Sequence, residues 1–293
     1  MAVIYNLGSL NLDQIYRIPH HVAGGETISA TDFTVGAGGK GCNQSIACAL
    51  AGAKVFHVGC IGSDGVMLKD LLEKSGADTS LLETVDIPTG RAVVLVDNST
   101  GNNSIVLYPG ANAAISCVLL DKLFDKAMPG DILLLQNETN MLGEAMSKAK
   151  KNNMKIVFNF APFDADTAGR IPLELVDYLI VNEIEGAGVS GKSLPQDILD
   201  VLTDKYPDTQ IILTLGADGV TWAGPQGKGS LPAFPADVVD TTAAGDTFIG
   251  YFLAALNENM SICDAATLAS KASALCCSRP GAGPAIPERS EIE

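Results

Sequence analysis

The chain has 293 residues, 47% of them hydrophobic, enough for one large α/β domain or two small ones around a sizeable core. Its formal net charge of −15 argues against nucleic acid or an anionic membrane as a partner, although backbone amides can bind phosphate in an acidic protein. Seven cysteines without CxxC spacing read as reduced core thiols in a cytosol-like compartment, and three histidines form no HxxxH or HExxH metal pair.

The first predicted element is a buried strand over residues 3–7 that ends in a turn at Gly8, rather than a secretory signal. No apolar run approaches the ~20 residues that span a bilayer, so a soluble, cytoplasmic protein is expected. Asn11 and Asp13 follow, and alternate residues of an extended segment share one face. An amide beside a carboxylate suits vicinal hydroxyls, but Asn and Asp are also common turn formers. Residues 13–35 and 89–108 carry short alternating strands with turn signals such as Asn98-Ser99-Thr100-Gly101-Asn102-Asn103 and no intervening helix. They are expected to form a small antiparallel sheet that covers a site, with surface decoration as the alternative.

Gly36-Ala37-Gly38-Gly39-Lys40-Gly41 formally fits GxGxxG. It follows the lid-like strand at 31–35 instead of the first core strand, and the nearest downstream acid is Asp64, so dinucleotide binding fits poorly. No GxxxxGK[ST] P-loop occurs. In the better reading Gly38 and Gly39 let backbone amides approach a polyhydroxy ligand, which Lys40 and Asn43 face from the start of a helix over 40–51. Strands at 55–60, 132–135, 155–159, 178–181 and 211–215 then alternate with helices at 66–75, 116–126, 140–152, 195–206 and 245–256. That rhythm predicts a mostly parallel sheet covered by helices, in one domain over residues 1–293 without repeats or linkers. His57, inside an apolar run, reads as structural.

Three strand ends carry chemistry, where open α/β sheets place ligands. Asn182 and Glu185 are either a capping box or holders of water around a magnesium–phosphate complex. Thr214-Leu215-Gly216 either passes close to a nucleotide or simply turns into a hairpin with 220–223. Asp240-Thr241-Thr242-Ala243-Ala244-Gly245-Asp246-Thr247-Phe248 follows a β-like run at 237–239. Its Ala-Ala-Gly turn leaves helix N-terminal amides that attract anions. Asp246 is then either an ordinary N-cap or a base that takes a proton from a hydroxyl attacking a phosphoryl group.

Together these residues resemble the ribokinase-like carbohydrate kinase family, in the family's order and from Val3 to about Ile292. Gly38-Gly39-Lys40-Gly41-Cys42-Asn43 and the 240–248 stretch are the main signatures. Tyr108-Pro109-Gly110-Ala111-Asn112-Ala113-Ala114, with Asn11 and Asp13, is most similar to the ribokinase branch. The resemblance implies a three-layer α/β/α sandwich with a mostly parallel central sheet plus a small antiparallel β lid. It implies ATP-dependent phosphorylation of a sugar's primary hydroxyl, that of ribose first. Another pentose, a ketohexose or a nucleoside is the alternative, and a non-catalytic sugar-binding regulator is the reading from another class.

By the same resemblance Asp246 is the base and the amides of Ala243, Ala244, Gly245 and Asp246 form the anion hole. Asn11, Asp13, Gly39, Lys40, Asn43 and Glu138 hold the sugar, Asn182 and Glu185 serve the magnesium–phosphate, and Thr214 and Gly216 face the nucleotide. A potassium ion is implied beside Asp240, Thr242, Cys276, Arg279 and Gly281, mostly on backbone carbonyls. Ala285 stands where the family often has a serine, which removes a ligand oxygen. Arg91 stands where the family pattern is apolar; alternation turns it away from a sugar covered by Ala92 and Val94, and an inward Arg91 would favour an acidic substrate. A homodimer through the lid strands is also implied.

Overall fold

Apolar runs buried on both faces build the centre of the protein, seen in a computed structural model that describes residues 1–292. The first half of the chain contains Ile4–Leu7 (β1), Asn11–Ile18 (β2), Asp32–Gly38 (β3), Lys40–Leu50 (α1), Val55–Ile61 (β4), Val66–Ser75 (α2), Asp78–Thr84 (β5), Gly90–Asp97 (β6), Asn103–Tyr108 (β7), Cys117–Lys126 (α3) and Ile132–Gln136 (β8). Leu142–Lys151 (α4), Lys155–Asn159 (β9), Ala165–Ala168 (α5), Tyr178–Asn182 (β10), Glu183–Ser190 (α6), Pro195–Lys205 (α7), Gln210–Thr214 (β11), Val220–Ala223 (β12), Gly229–Leu231 (β13), Ala244–Asn257 (α8) and Ile262–Cys277 (α9) follow.

The large sheet runs β13-β12-β11-β10-β9-β8-β1-β4-β5, parallel from β11 to β5 with an antiparallel edge at β12 and β13. Successive strand residues serve opposite layers, as pleating requires. Ile4, Leu134 and Ile212 join Cys42, Ile46, Phe252 and Ala269 of α1, α8 and α9. Tyr5, Leu133 and Ile211 join Leu119, Met146 and Ile198 of α3, α4 and α7. The result is three layers. Helix α9 was not legible because its buried face is mostly small: Ala265, Ala266, Ala269 and Ala272 pack where larger residues would mark a period.

The second sheet, β3-β2-β6-β7, consists of two antiparallel pairs joined by a parallel β2–β6 pairing. It spans more of the chain than residues 13–35 suggested, because β2 begins at Asn11 and β3 runs on to Gly38. Its outer strand β7 is exposed throughout, including Ile105 and Leu107.

Two expectations are corrected. Residues 237–239 are not a strand: Val238 and Val239 are exposed, and the Val239 and Asp240 amides both turn to the Cys277 carbonyl instead of a ladder. Core burial holds for Cys42, Cys48, Cys60 and Cys276, but Cys117 and Cys263 are exposed on helix surfaces and Cys277 is half-buried. All seven are free thiols. His57 is fully buried, and burial pushes its imidazole down to about 4, so it stays neutral in the core. Among the described residues no helix is long and apolar enough to cross a membrane.

Candidate active site

The lid meets the body where β2 leaves the core and β3 turns into α1. Asn11 lies opposite Gly38 and Asp13 opposite Gly36 in the β2–β3 pair. A Cβ on Gly38 would overlap the Asp13 carboxylate, so only glycine leaves that group its place. Gly39 then takes φ 92°, a left-handed turn that glycine adopts without strain, and starts α1. Asn112 fixes Asn11: its Nδ2 donates to Asn11 Oδ1 at 2.8 Å, and its Oδ1 accepts from the Leu10 amide at 2.9 Å.

Burial, then the charge of Glu138, pushes the Asp13 carboxyl up to about 7. Glu138, just past β8, is also raised by burial; it accepts bonds from Ser9 Oγ and, at 3.1 Å, from the Lys40 amide. Burial alone would lower the Lys40 ammonium, but the carboxylates of Asp246, Glu138 and Glu185 outweigh it and hold the pKa up. One lysine thus faces several carboxylates. A nucleotide entering here needs cations of its own to offset that charge.

Asp246 is the third residue of α8 and only 8% exposed. It is not an N-cap. The N-cap is Ala243, whose side chain caps nothing, and the Asp246 carboxylate instead crosses to α1. Its Oδ2 accepts from Asn43 Nδ2 at 3.0 Å and its Oδ1 from Gln44 Nε2 at 2.8 Å. Ala243 sits at φ 61°, a conformation that costs an alanine about 1 kcal/mol. It turns the chain sharply into the helix, so the Gly245 and Asp246 amides have no carbonyl one turn back. The Ala244 amide reaches Thr241 O at 3.2 Å, and a Cβ on Gly245 would meet only open space.

A cavity of about 220 Å³ joins this turn to Lys40, Asn182, Glu185 and Thr214. Asn182 and Glu185 form the capping box: Asn182 Oδ1 accepts from the Glu185 amide and Glu185 Oε2 from the Asn182 amide, both at 2.9 Å. Burial, and beyond it the charge of Asp246, raises the Glu185 carboxyl. The capping role and a role toward the cavity therefore coexist. One carboxylate at the rim suits a magnesium ion that keeps most of its water. Thr214 lines the cavity, while Gly216 opens the tight turn into β12 at φ 53°, so the hairpin reading also holds.

The residues implied for potassium come together in part. Asp240 Oδ1 accepts from the Thr242 amide at 2.9 Å and hydroxyl at 2.6 Å, and its Oδ2 from the Gly281 amide at 2.9 Å. Cys276 Sγ lies 3.8 Å from Thr242 O. The Arg279 guanidinium points away to Glu291 at 2.5 Å, which leaves only its carbonyl for a cation. The groups seen around the Asp240 carboxylate are thus amide and hydroxyl donors, and among the described residues there is no cluster of three or more His, Cys, Asp or Glu that could hold a metal ion. Ala285 is buried and supplies no side-chain oxygen.

Arg91 lies on the strand face opposite Asp13, as alternation predicted. Its guanidinium bonds Asp64 at 2.7 Å, and its neighbour Ala92 is the buried residue opposite Asp13. The sequence reading missed Gln44, Asn159, Gln136 and Asn6, which stand behind Asp246. The available signal was weak: Gln136 and Asn159 end the strands β8 and β9, Asn6 interrupts β1, and Gln44 stands between the polar Asn43 and Ser45 of α1.

The sequence pattern of the pfkB family carbohydrate kinases matches residues 1–289. The chain is 36% identical to a ribokinase of Haemophilus influenzae over 296 aligned positions, covering 97% of this chain and 95% of that one. It superposes on the ribokinase of Cryptococcus neoformans, solved with ADP, with TM-score 0.84 and 34% identity over 99% of this chain and 97% of that one. The ribokinase of Arabidopsis thaliana, solved with ribose and ATP, gives TM-score 0.86 and 29% identity over 100% and 98%.

Proposed function

Because the chain belongs to the pfkB family of carbohydrate kinases, we propose that it transfers the γ-phosphoryl group of ATP to the 5-hydroxyl of ribose, with Asp246 as the base. The observation that carries the reading is a buried carboxylate at an anion-attracting helix start, hydrogen-bonded to Asn43 of the helix that opens where the lid strand β3 ends.

Ribose is held by Asn11, Asp13, Gly39, Lys40, Asn43 and Glu138, which together offer amide donors and carboxylate acceptors to its hydroxyls. Asp246 takes the proton of the 5-hydroxyl as its oxygen attacks the γ-phosphorus. The amides of Ala243, Gly245 and Asp246, with Ala244 joining if its Thr241 contact opens, stabilise charge on the transferring group. Asn182 and Glu185 would hold a hydrated magnesium ion, which would offset phosphate charge in a site crowded with carboxylates. The Asp240, Thr242, Cys276, Arg279 and Gly281 loops would hold potassium beside that turn; Thr214 and Gly216 border the nucleotide. The outward Arg91 supports an uncharged sugar over an acidic one. The exposed apolar β7 supports a homodimer through the lid, and seven free thiols support a cytoplasmic setting.

A coupled assay over ribose, deoxyribose, fructose, ribulose and nucleosides, with and without potassium, tests the substrate; ribose should give the highest kcat/KM. Asp246→Asn should lower kcat by about 10²–10⁴-fold while ribose and ATP still bind. Near-normal turnover in that variant would remove Asp246 from the reaction.

A further inference from the structure

Behind Asp246 lies a chain of buried amides whose hydrogen-bonding sense is set by two backbone carbonyls. Asn6 Nδ2 donates to Gly41 O and to Ser45 Oγ, each at 2.8 Å. A carbonyl can only accept, so the amide nitrogen of Asn6 must face it and Oδ1 must face the other way. That oxygen accepts from Gln136 Nε2 at 2.9 Å, and the same nitrogen donates to Gln44 Oε1 at 2.7 Å. At the other end, Asn159 Nδ2 donates to Ile180 O at 3.0 Å, which turns Asn159 Oδ1 toward Gln44. Gln44 Nε2 therefore donates to Asn159 Oδ1 at 3.1 Å and to Asp246 Oδ1 at 2.8 Å.

Asn6, Gln44 and Gln136 are fully buried, and Asn159 is 6% exposed. Ser45 Oγ, accepting from Asn6, lies 2.9 Å from His57 Nδ1, on a ring that burial keeps neutral. A flipped Gln44 would set its carbonyl oxygen against both the Asp246 carboxylate and Asn159 Oδ1. In a dry interior such a clash costs several kcal/mol, so the relay has one sense.

We propose that Gln44 is a positioning residue that ties Oδ1 of Asp246 and leaves Oδ2 as the oxygen that receives the proton. This rests on Asp246 being the base. Oδ2 is bonded only to Asn43, a residue on the sugar side that can turn to a ligand hydroxyl when one arrives. The step balances: the 5-hydroxyl proton moves to Oδ2, a bond forms between that hydroxyl oxygen and the γ-phosphorus, and the bond from the γ-phosphorus to the bridging oxygen of ADP breaks, leaving its electron pair on ADP. Gln136 stands one link further back, bonded to Gln44 and to Asn6 and not to Asp246.

The test is a double-mutant cycle read by kcat and KM separately. Gln44→Met removes the donor at nearly constant volume and should lower kcat about 10–100-fold, since a misplaced group costs that much, with KM for ribose changed less than about twofold. Gln136→Met should lower kcat about 3–10-fold, and the double variant should match Gln44→Met alone, because residues acting in series are not additive. A purely structural role predicts lower melting temperatures with kcat kept, or additive losses; either outcome overturns the proposal, as does a loss confined to KM. If Gln44→Met does not fold, Gln136→Met decides by the same kcat and KM criteria, because it does not touch Asp246. Asp246→Asn run alongside separates the two claims: an active Asp246→Asn refutes the base, whereas an inactive one with a normal Gln44→Met refutes only the positioning.

Discussion

Replacing Asp13 by asparagine should make the folded protein more stable and the sugar site worse. Burial, then the charge of Glu138, raises its carboxyl from 3.8 to about 7 in the folded chain. A folded pKa above the unfolded one means that protonation favours the folded state. The advantage is complete below the unfolded value of 3.8 and is lost as pH climbs through about 7. A difference of about three pH units at 1.36 kcal/mol each sets an upper bound of about 4 kcal/mol, and partial exposure reduces the expectation to ~2 kcal/mol.

Asparagine keeps the shape and removes the charge. Asp13→Asn should therefore match the parent near pH 4 and gain ~2 kcal/mol at pH 8, about 3 °C in melting temperature for a chain of this size. Thermal melts at the two pH values measure this without ligand. In the parent, ribose affinity should rise between pH 6 and 8 as the carboxylate forms, and the variant should lose both that rise and at least tenfold in affinity by calorimetry. A variant no more stable than the parent at pH 8, or one that binds ribose normally, would refute the reasoning.

Gly245→Ala separates fold from chemistry in a different way. Its new Cβ meets no protein atom, and alanine is about 1 kcal/mol better than glycine inside a helix. The variant should melt no lower than the parent yet lose at least tenfold in kcat, because the methyl group enters the space of the transferring phosphoryl; unchanged kcat would show that the group does not approach there. On the lid, Leu107→Lys places a charge in the exposed apolar strand β7 and should convert a micromolar dimer into a monomer by sedimentation. Identical sedimentation of the two proteins would refute a dimer through β7.

The α/β rhythm was readable because β8, β9, β10 and β11 each carry an unbroken apolar run of three or four residues, and the predicted limits lie within two residues of those found. The chemistry-bearing turns were readable where glycine or a charge marks them, as at Gly38, Gly39 and Asp246. Asn43 was legible beside Lys40, but Gln44 next to it was not, because a buried amide has no periodic or compositional signature. Its meaning depends on Asn159, more than a hundred residues away, and on Gln136 from another strand. Helix α9 hid for a related reason, since alanine packing carries little contrast between faces. Strand propensity misled at Val238 and Val239, which have no partner strand to join.

The parallel β2–β6 pairing has a mechanical side. Both strands leave the body together, with Asn11 beside Gly90 at their roots. Asn112 grips the first root through Leu10 and Asn11, and Asp64 grips the second through Thr89. A sheet clamped at two adjacent points turns like a door on a short axle. The eight residues of β2 reach about 26 Å at ~3.3 Å per residue, so a swing of about 10° carries the far rim ~4.5 Å. Asp13, two residues from the axle, travels only ~1 Å in the same swing, and Asn11 almost nothing. In such a swing the pair proposed to hold the sugar stays almost in place, and the largest travel falls on the far strand ends near residues 18–32 and 97–103.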